Sequence, residues 1–178
     1  MELVIVERTF PQPAQFEDIH ALDGSDAWCL SAHRVRSLKT LFSRDRRRML
    51  CFYEAPDAEA VRLAEGEART TFDRVWTCAQ LRLGSPDHKA SATEYVVVER
   101  LFPEPVTPEF FAEALREKGW CLDLHRAEYV EGYLSTDGLR AVCLFRAPDA
   151  ESVRLANSQA GIPYARVWTG SIHLSPGQ

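Results

Sequence analysis

The chain has 178 residues, of which 46% are hydrophobic and 26% charged, and this is the composition of a soluble globular protein. The formal net charge of −5 argues against a general nucleic-acid binder, whose contact surface would be basic. No apolar stretch approaches the length of about 20 residues that crosses a bilayer. The first residues lack the pattern of a secretory signal peptide, and the odd number of cysteines forms no short-loop disulfide framework. We therefore expect reduced thiols, a cytoplasmic location, and neither a nucleic-acid nor a membrane partner.

The second half of the sequence repeats the first at an offset of about 92 residues. The segment Trp28–Arg34 returns as Trp120–Arg126, and Arg74–Thr77 returns as Arg166–Thr169. Roughly 31 of about 84 aligned positions are identical without a gap, which indicates an internal duplication. The predicted organisation is a first repeat at 1–84, a polar linker at 85–92 and a second repeat at 93–178.

Each half predicts the same order of strands and helices. Consecutive apolar and β-branched residues from Leu3 to Thr9 are typical of a strand buried on both faces. A helical region follows up to about Arg34, and then come two strands joined by a turn with the pattern Ser-x-Asp. A second helix begins after a capping aspartate, Asp57 or Asp149, and a final strand ends each half. The predicted strands of the first half are 3–9, 35–42, 48–54 and 74–83.

This βαββαβ order is that of a ferredoxin-like domain, in which two helices cover one face of a sheet. Strands that are apolar on both faces need a cover for the second face as well. We therefore expect an α+β protein of two tandem ferredoxin-like domains, packed sheet to sheet as an intramolecular pseudo-dimer. Such an arrangement resembles a dimeric α/β-barrel and would leave the chain a monomer.

Two cysteine–histidine pairs recur at helical spacing. Cys29 and His33 are four residues apart, as are Cys121 and His125, so each pair lies on one face of a helix. Thiolate and imidazole ligands suit zinc, nickel or copper. A third ligand has to come from elsewhere, and the recurring carboxylates are the first candidates: Glu7 and Glu99.

Two arrangements of these pairs remain open. Helices that meet at the pseudo-two-fold axis would build one closed tetrahedral Cys2His2 centre, whereas helices on the outside would give two open sites. The alternative without a metal is a buried cysteine beside a hydrogen-bonded histidine.

The tryptophans and several arginines recur too. For the tryptophans we expect core positions or a place in the wall of a cavity between the halves. The recurring arginines fit either an anion or carboxylate site or ion pairs with neighbouring glutamates. These residues are Trp28/Trp120, Trp76/Trp168, Arg8/Arg100, Arg62/Arg154 and Arg74/Arg166. The common nucleotide-binding and hydrolase motifs are absent, so the sequence favours a binding protein over an enzyme.

The recurring motifs carry a family resemblance. They read V-E-R-x-F-P, C-x-x-x-H, S-x-D, C-x-x-x-A-P-D-A-E-x-V-R-x-A and A-G-x-P. The pattern resembles a bacterial family of small ferredoxin-like domains of unknown function, some of whose members are named as nickel-binding proteins. The resemblance implies dimer-forming domains that bind nickel at the surface. This chain differs in being a tandem fusion, and its first half has Ala68–Thr71 in place of A-G-x-P. The resemblance therefore implies metal binding in one half or in both.

Three functions follow as hypotheses. The first is a cytoplasmic protein that binds a divalent transition metal, with nickel preferred, for sequestration or handling. The second is an enzyme or small-molecule binder of the oxygenase or isomerase kind, which would use a cavity between the two sheets. The third is a protein interaction module with an exposed apolar patch. The ligands expected for the first are Cys29, His33, Cys121, His125, Glu7 and Glu99.

Overall fold

The computed structural model describes residues 1–15, 27–83 and 94–175. The predicted linker at 85–92 and most of the predicted first helix lie outside these residues. The strands are β1 (Glu2–Thr9), β2 (Arg36–Ser43), β3 (Arg48–Ala55), β4 (Arg74–Leu81), β5 (Glu94–Leu101), β6 (Glu128–Ser135), β7 (Arg140–Arg146) and β8 (Arg166–Leu174). The helices are α1 (Ala27–Ala32), α2 (Ala58–Glu67), α3 (Pro108–Lys118), α4 (Trp120–Leu124) and α5 (Ala150–Ala160). No helix of the described residues is long and apolar enough to cross a membrane.

Strand β1 lies between β3 and β4 and is antiparallel to both, and β2 pairs with the other edge of β3. Val4 and Val6 pack in one core cluster with Val61 and Ala64 of α2. Ile5, which points to the opposite face of the strand, is also fully buried. The prediction that β1 is buried on both faces is therefore confirmed.

In the second half, β7 pairs with β5 on one side and with β6 on the other, again antiparallel. Its core cluster contains Val98 of β5, Val153 of α5 and three phenylalanine rings that contact one another edge to face. These rings come from the end of β5 and from α3, so they fix that helix against the strands. The rings are Phe102, Phe110 and Phe111.

The expected architecture of two ferredoxin-like domains packed sheet to sheet as a pseudo-dimer is wrong. The eight strands form one closed barrel in the order β1-β3-β2-β8-β5-β7-β6-β4. The chain clusters into two compact units, Met1–Cys78 with Ser171–Gln178 and Ala79–Gly170, so β4 and β8 are each divided between the two units. Closure leaves no strand edge unpaired. A pattern of burial on both faces is as typical of such a strand as of one in stacked sheets.

The Ser-x-Asp motif closes the β2–β3 and β6–β7 hairpins in the same way. Ser43 Oγ donates to Asp45 Oδ1 at 2.6 Å, and the same aspartate oxygen accepts the backbone N–H of Arg47 at 3.0 Å. Ser135 and Asp137 repeat this arrangement, with the serine hydroxyl 2.5 Å from the carboxylate. In both turns the serine hydrogen bond is the main cause that lowers the pKa of the aspartate. This motif of the family pattern therefore has a structural explanation.

The predicted helix ends are also observed. Asp57 accepts the backbone N–H of Ala60 at 2.8 Å, and Asp149 accepts that of Ser152 at 2.7 Å. Gly161 ends α5 with a φ of 68°, a left-handed conformation that glycine adopts without strain.

Candidate functional site

The helices α1 and α4 carry the two cysteine–histidine pairs. The backbone N–H of His33 donates to the carbonyl of Cys29 at 3.3 Å, and His125 makes the same 3.3 Å bond to Cys121. The arginine that follows each histidine has a positive φ, 57° in the first half and 53° in the second, and this conformation ends the helical turn. Each histidine therefore sits at the C-terminal end of its helix.

The two members of each pair differ in accessibility. Cys29 and Cys121 are both 1% exposed, whereas His33 keeps 21% of its side-chain surface exposed. His125 is half-buried in the same position. The thiols thus belong to the interior, and the imidazole rings are partly exposed, although the Nε2 atom of His33 is itself buried.

Each imidazole meets a side chain near the end of a neighbouring helix. His33 Nε2 lies 3.1 Å from Glu67 Oε1, and His125 Nε2 lies 3.0 Å from Gln159 Oε1. The first contact has the distance of an ion pair without the angles of a hydrogen bond, so His33 Nε2 has no hydrogen-bond partner among the described residues. Positions 67 and 159 are equivalent in the two repeats. The first half therefore pairs the imidazole with a carboxylate and the second half with a neutral amide.

Glu7, the predicted third ligand of the first half, contacts side chains of the neighbouring strands. Its Oε1 accepts the indole N–H of Trp76 at 2.9 Å, and its Oε2 lies 3.3 Å from Arg48 Nη2 and 3.7 Å from Arg74 Nη1. Trp76 and Arg74 lie on β4, which pairs with β1, so the sheet register brings all three groups together.

Glu99 occupies the equivalent position on β5. It accepts the indole N–H of Trp168 at 2.6 Å and lies 3.9 Å from Arg166 Nη1. Both carboxylates are 8% exposed, so both are buried in contact with an indole and a guanidinium.

The six predicted ligands therefore divide into two cysteine–histidine pairs, each with a buried thiol and a partly exposed imidazole, and two strand carboxylates. Over residues 1–15, 27–83 and 94–175, no three side chains of the His, Cys, Asp or Glu type form a group that could hold a metal ion. The cysteine and the histidine of each pair are joined by one backbone hydrogen bond, and among the described residues no carboxylate of β1 or β5 completes a group of three.

A buried ion pair joins β1 to α2 in the first half. Arg8 Nη2 donates to Glu65 Oε2 at 2.5 Å, and Arg8 Nη1 donates to the carbonyl of Thr71 at 2.5 Å. Glu65 also accepts from the hydroxyls of Tyr53, at 3.1 Å, and of Thr70. The carboxylate of Glu65 thus neutralises the guanidinium of Arg8, and the two hydroxyls help to orient the carboxylate.

The equivalent arginine of the second half has neutral partners. Arg100 Nη2 donates to Asn157 Oδ1 at 2.6 Å, and its Nη1 donates to the carbonyl of Pro163 at 2.8 Å. Arg100 is 3% exposed, and its Nε has no hydrogen-bond partner within the described ranges. Asn157 stands where the first half has Glu65, so the second half lacks this counter-charge.

The other recurring residues divide between core and surface. Cys51 and Cys143 are buried, and burial raises the pKa of the Cys78 thiol to about 12. The expectation that the tryptophans are core residues is wrong for one pair: Trp28 is 60% exposed and Trp120 is 56% exposed.

The recurring arginines other than Arg8 and Arg100 form the predicted ion pairs. Arg62 lies 3.2 Å from Glu59, Arg154 lies 3.2 Å from Glu151, and the pairs of Arg74 and Arg166 are those described above.

Sequence reasoning missed the acceptors on α2 and α5. Glu65, Glu67, Asn157 and Gln159 belong to no recurring motif because the two halves differ there. The sequence signal that could have identified these positions is the difference between the halves, since two acidic residues of one helix correspond to two amides in the other.

The chain is similar to one known protein family. The family model described as Nickel responsive protein SCO4226-like matches the chain twice, at residues 5–77 and 95–169. Among curated proteins, no significant match is found.

Solved structures show similarity of fold at low sequence identity. An anthrone oxidase-like protein is 12% identical with a TM-score of 0.50, over 98% of this chain and 91% of its own. A chlorite dismutase-like protein is 13% identical with a TM-score of 0.48, over 97% and 95%. At these identities the likeness concerns the fold alone. The two family matches together span most of the sequence, and the chain therefore belongs to the SCO4226-like nickel responsive protein family, whose domain it contains as a tandem duplicate.

Proposed function

We propose that this protein is a cytoplasmic divalent-metal-binding protein, with nickel preferred, that sequesters or handles the ion as cargo. The metal would bind at the C-terminal ends of α1 and α4, with His33 and His125 as the surface ligands. The proposal places Cys29 and Cys121 behind the imidazoles as further ligands, recruited when the helix end opens. Glu7 and Glu99 were the first candidates for a third ligand, but their contacts with tryptophan and arginine favour a structural role.

The observation that carries the proposal is the contact between His33 and Glu67. An imidazole nitrogen and a carboxylate oxygen lie 3.1 Å apart without forming a hydrogen bond, and the nitrogen atom is shielded from solvent although the ring is partly exposed. Two neighbouring ligand atoms that are each about 2.1 Å from an octahedral ion lie roughly 3 Å apart. The pair therefore has the separation of two ligands of one ion, and water would fill the remaining positions once the helix end opens.

The ligand types support a transition metal over calcium or magnesium, because imidazole is a poor ligand for the latter two. The name of the family supports nickel in particular. A site with few protein ligands gives modest affinity, which suits an ion that is taken up and released.

The test is a calorimetric titration of the protein, purified without a histidine tag, with nickel chloride. The double variant His33→Ala/His125→Ala is expected to abolish saturable binding. Glu67→Gln is expected to weaken the first site by about tenfold, and Gln159→Glu is expected to strengthen the second. Unchanged stoichiometry in the double-histidine variant would refute the proposal.

A matched control comes from the same helix as Glu67. Glu59 is an exposed carboxylate that pairs with Arg62 at 3.2 Å, so Glu59→Gln removes the same charge without touching the imidazole. This variant is expected to bind nickel as the unmodified protein does. A thiolate-to-nickel absorption band that disappears in Cys29→Ser would identify the recruited thiol.

A further inference from the structure

The hairpin that joins β2 to β3 presents a group of exposed arginines. Arg44, Arg46 and Arg47 lie in its turn, and all three are exposed. The second half has the same Ser-x-Asp turn between β6 and β7, with uncharged residues at the three equivalent positions: Thr136, Gly138 and Leu139. The two hairpins therefore share the turn and differ by three positive charges.

Arg46 occupies its place in this turn at a conformational cost. Its φ is 59°, in the left-handed region, and the equivalent Gly138 has a φ of 72°. Glycine adopts this region without strain, whereas a residue with a Cβ does not. Glycine therefore makes the turn at least as well, so what arginine adds at this position is its side chain.

The segment that follows β1 positions two of these arginines. The backbone N–H of Phe10 donates to the carbonyl of Arg47 at 2.8 Å, and that of Ala14 donates to the carbonyl of Arg46 at 2.8 Å. Arg46 Nη1 also donates to Gln15 Oε1 at 2.7 Å. The turn is thus fixed from one side while its arginines remain exposed. A charge that is already positioned loses less conformational freedom on binding than a charge on a free loop.

This basic turn belongs to a chain that is acidic as a whole. The formal net charge of the chain is −5, and residues 43–48 include four arginines and one aspartate, so the rest of the chain is more negative than the whole. An anion confined to the turn is attracted, whereas a long polyanion also meets the repulsion of the remaining surface. Residues 43–48 include no aromatic side chain on which a nucleic-acid base could stack. The charge pattern therefore favours a short anionic partner over nucleic acid.

Carboxylates that are close together in a sequence match the exposed arginines of this turn. A guanidinium pairs with a carboxylate through two parallel hydrogen bonds. We propose that the β2–β3 hairpin is a docking surface for a short acidic segment of a partner protein, whose carboxylates pair with Arg44, Arg46 and Arg47.

The test uses the full chain and three fluorescent probes at low ionic strength: a capped hexaglutamate peptide, the hexaglutamine peptide of the same length, and an oligothymidylate of equal charge. Fluorescence anisotropy is expected to show saturable binding of hexaglutamate, at least about tenfold tighter than that of the other two probes. Added salt at about 0.2 M is expected to weaken this binding, since the arginines are exposed. No binding of hexaglutamate, or equal binding of hexaglutamine, would overturn the proposal. Equal or tighter binding of the oligothymidylate would overturn it as well, in favour of a nucleic-acid surface.

The second half of the chain supplies the variant that removes the arginines. Arg44→Thr, Arg46→Gly and Arg47→Leu together give the turn the residues of its copy, so binding of hexaglutamate is expected to be lost. The melting temperature is expected to stay the same or to rise, because glycine suits the left-handed position. Hexaglutamate binding that survives in this variant would refute the assignment to the hairpin.

A matched control separates the hairpin from the net charge of the chain. The triple variant Arg62→Gln/Arg82→Gln/Arg116→Gln removes the same amount of charge from exposed positions elsewhere. It is expected to bind hexaglutamate within about twofold of the unmodified protein. An equal loss of binding in this control and in the hairpin variant would show that net charge governs the binding, and the docking surface would be refuted.

Discussion

The substitution Glu65→Gln tests how the interior of the first unit is held together. Glu65 is a buried carboxylate whose two oxygens accept from Arg8 at 2.5 Å and from Tyr53 at 3.1 Å. Glutamine has the same shape and keeps one carbonyl oxygen, so the change removes the charge with little change in packing. The guanidinium of Arg8 then stays buried without its counter-ion.

The expected loss of stability follows from the burial of both partners. Their side chains are 7% and 4% exposed, so water cannot replace the lost partner. Removal of one member of a buried pair costs about 3–5 kcal/mol. The carbonyl of Thr71 still accepts from Arg8, and the glutamine oxygen can accept as well. We therefore expect a value near the lower end, about 3 kcal/mol, which lowers the melting temperature by roughly 6–12 °C for a chain of this size.

The assay is equilibrium denaturation in urea, with the free energy of unfolding compared between variants. Glu59→Gln is the matched control, because its pair with Arg62 has side chains 43% and 66% exposed and lies on the same helix. An exposed pair of this kind contributes less than about 1 kcal/mol. If the free energy of unfolding of Glu65→Gln lies within about 1 kcal/mol of that of the unmodified protein, the carboxylate is not needed to stabilise buried Arg8. The energetic contrast with Arg100 would then be refuted.

Three further predictions concern turns and thiols. Gly138→Ala is expected to destabilise by more than about 1 kcal/mol in urea denaturation, because its φ is 72° and a Cβ would lie 2.6 Å from the carbonyl oxygen of Val106. Asp137→Asn is expected to lower stability at neutral pH and to lose this effect as the pH falls below about 4. The hydrogen bond from Ser135 lowers the pKa of the aspartate in the folded state, so its contribution is present above the ordinary pKa and is lost on protonation; a constant difference down to pH 2 would contradict this. The five cysteines are at most 9% exposed, so a thiol reagent is expected to react slowly with the native protein and with all five thiols in denaturant.

Local features of the fold were predictable from the sequence because their causes are local. The strand of Leu3–Thr9, the capping aspartates and the Ser-x-Asp turns depend on neighbouring residues, and the structure has them where the patterns indicate. The pairing of the last strand of each half is not a local property. Burial on both faces of β1 is compatible with stacked sheets and with a closed barrel, so the pattern could not decide between them.

The candidate site was predictable to the same extent. The Cys29 and His33 spacing indicates a shared helical face, and the structure has both residues at the end of α1. The partner of the imidazole comes from α2, which is distant in sequence and carries no motif at that position. Glu7 was a candidate metal ligand because it recurs in the second half. Its recurrence is explained by the contact with Trp76 across the β1–β4 pair.

Equivalent helices of the two halves differ in charge at two positions. In α2, Glu65 neutralises a buried arginine and Glu67 meets a surface imidazole, whereas α5 has the amides Asn157 and Gln159 at these places. Position 157 faces the interior and position 159 faces solvent, so a charge restored at one does not substitute for a charge restored at the other. Asn157→Glu should therefore give Arg100 a counter-charge, raise the free energy of unfolding and leave nickel binding as it was, while Gln159→Glu should strengthen nickel binding at His125. If Asn157→Glu in a folded protein changes nickel binding as much as Gln159→Glu does, the assignment of nickel binding to the histidine end of α4 fails.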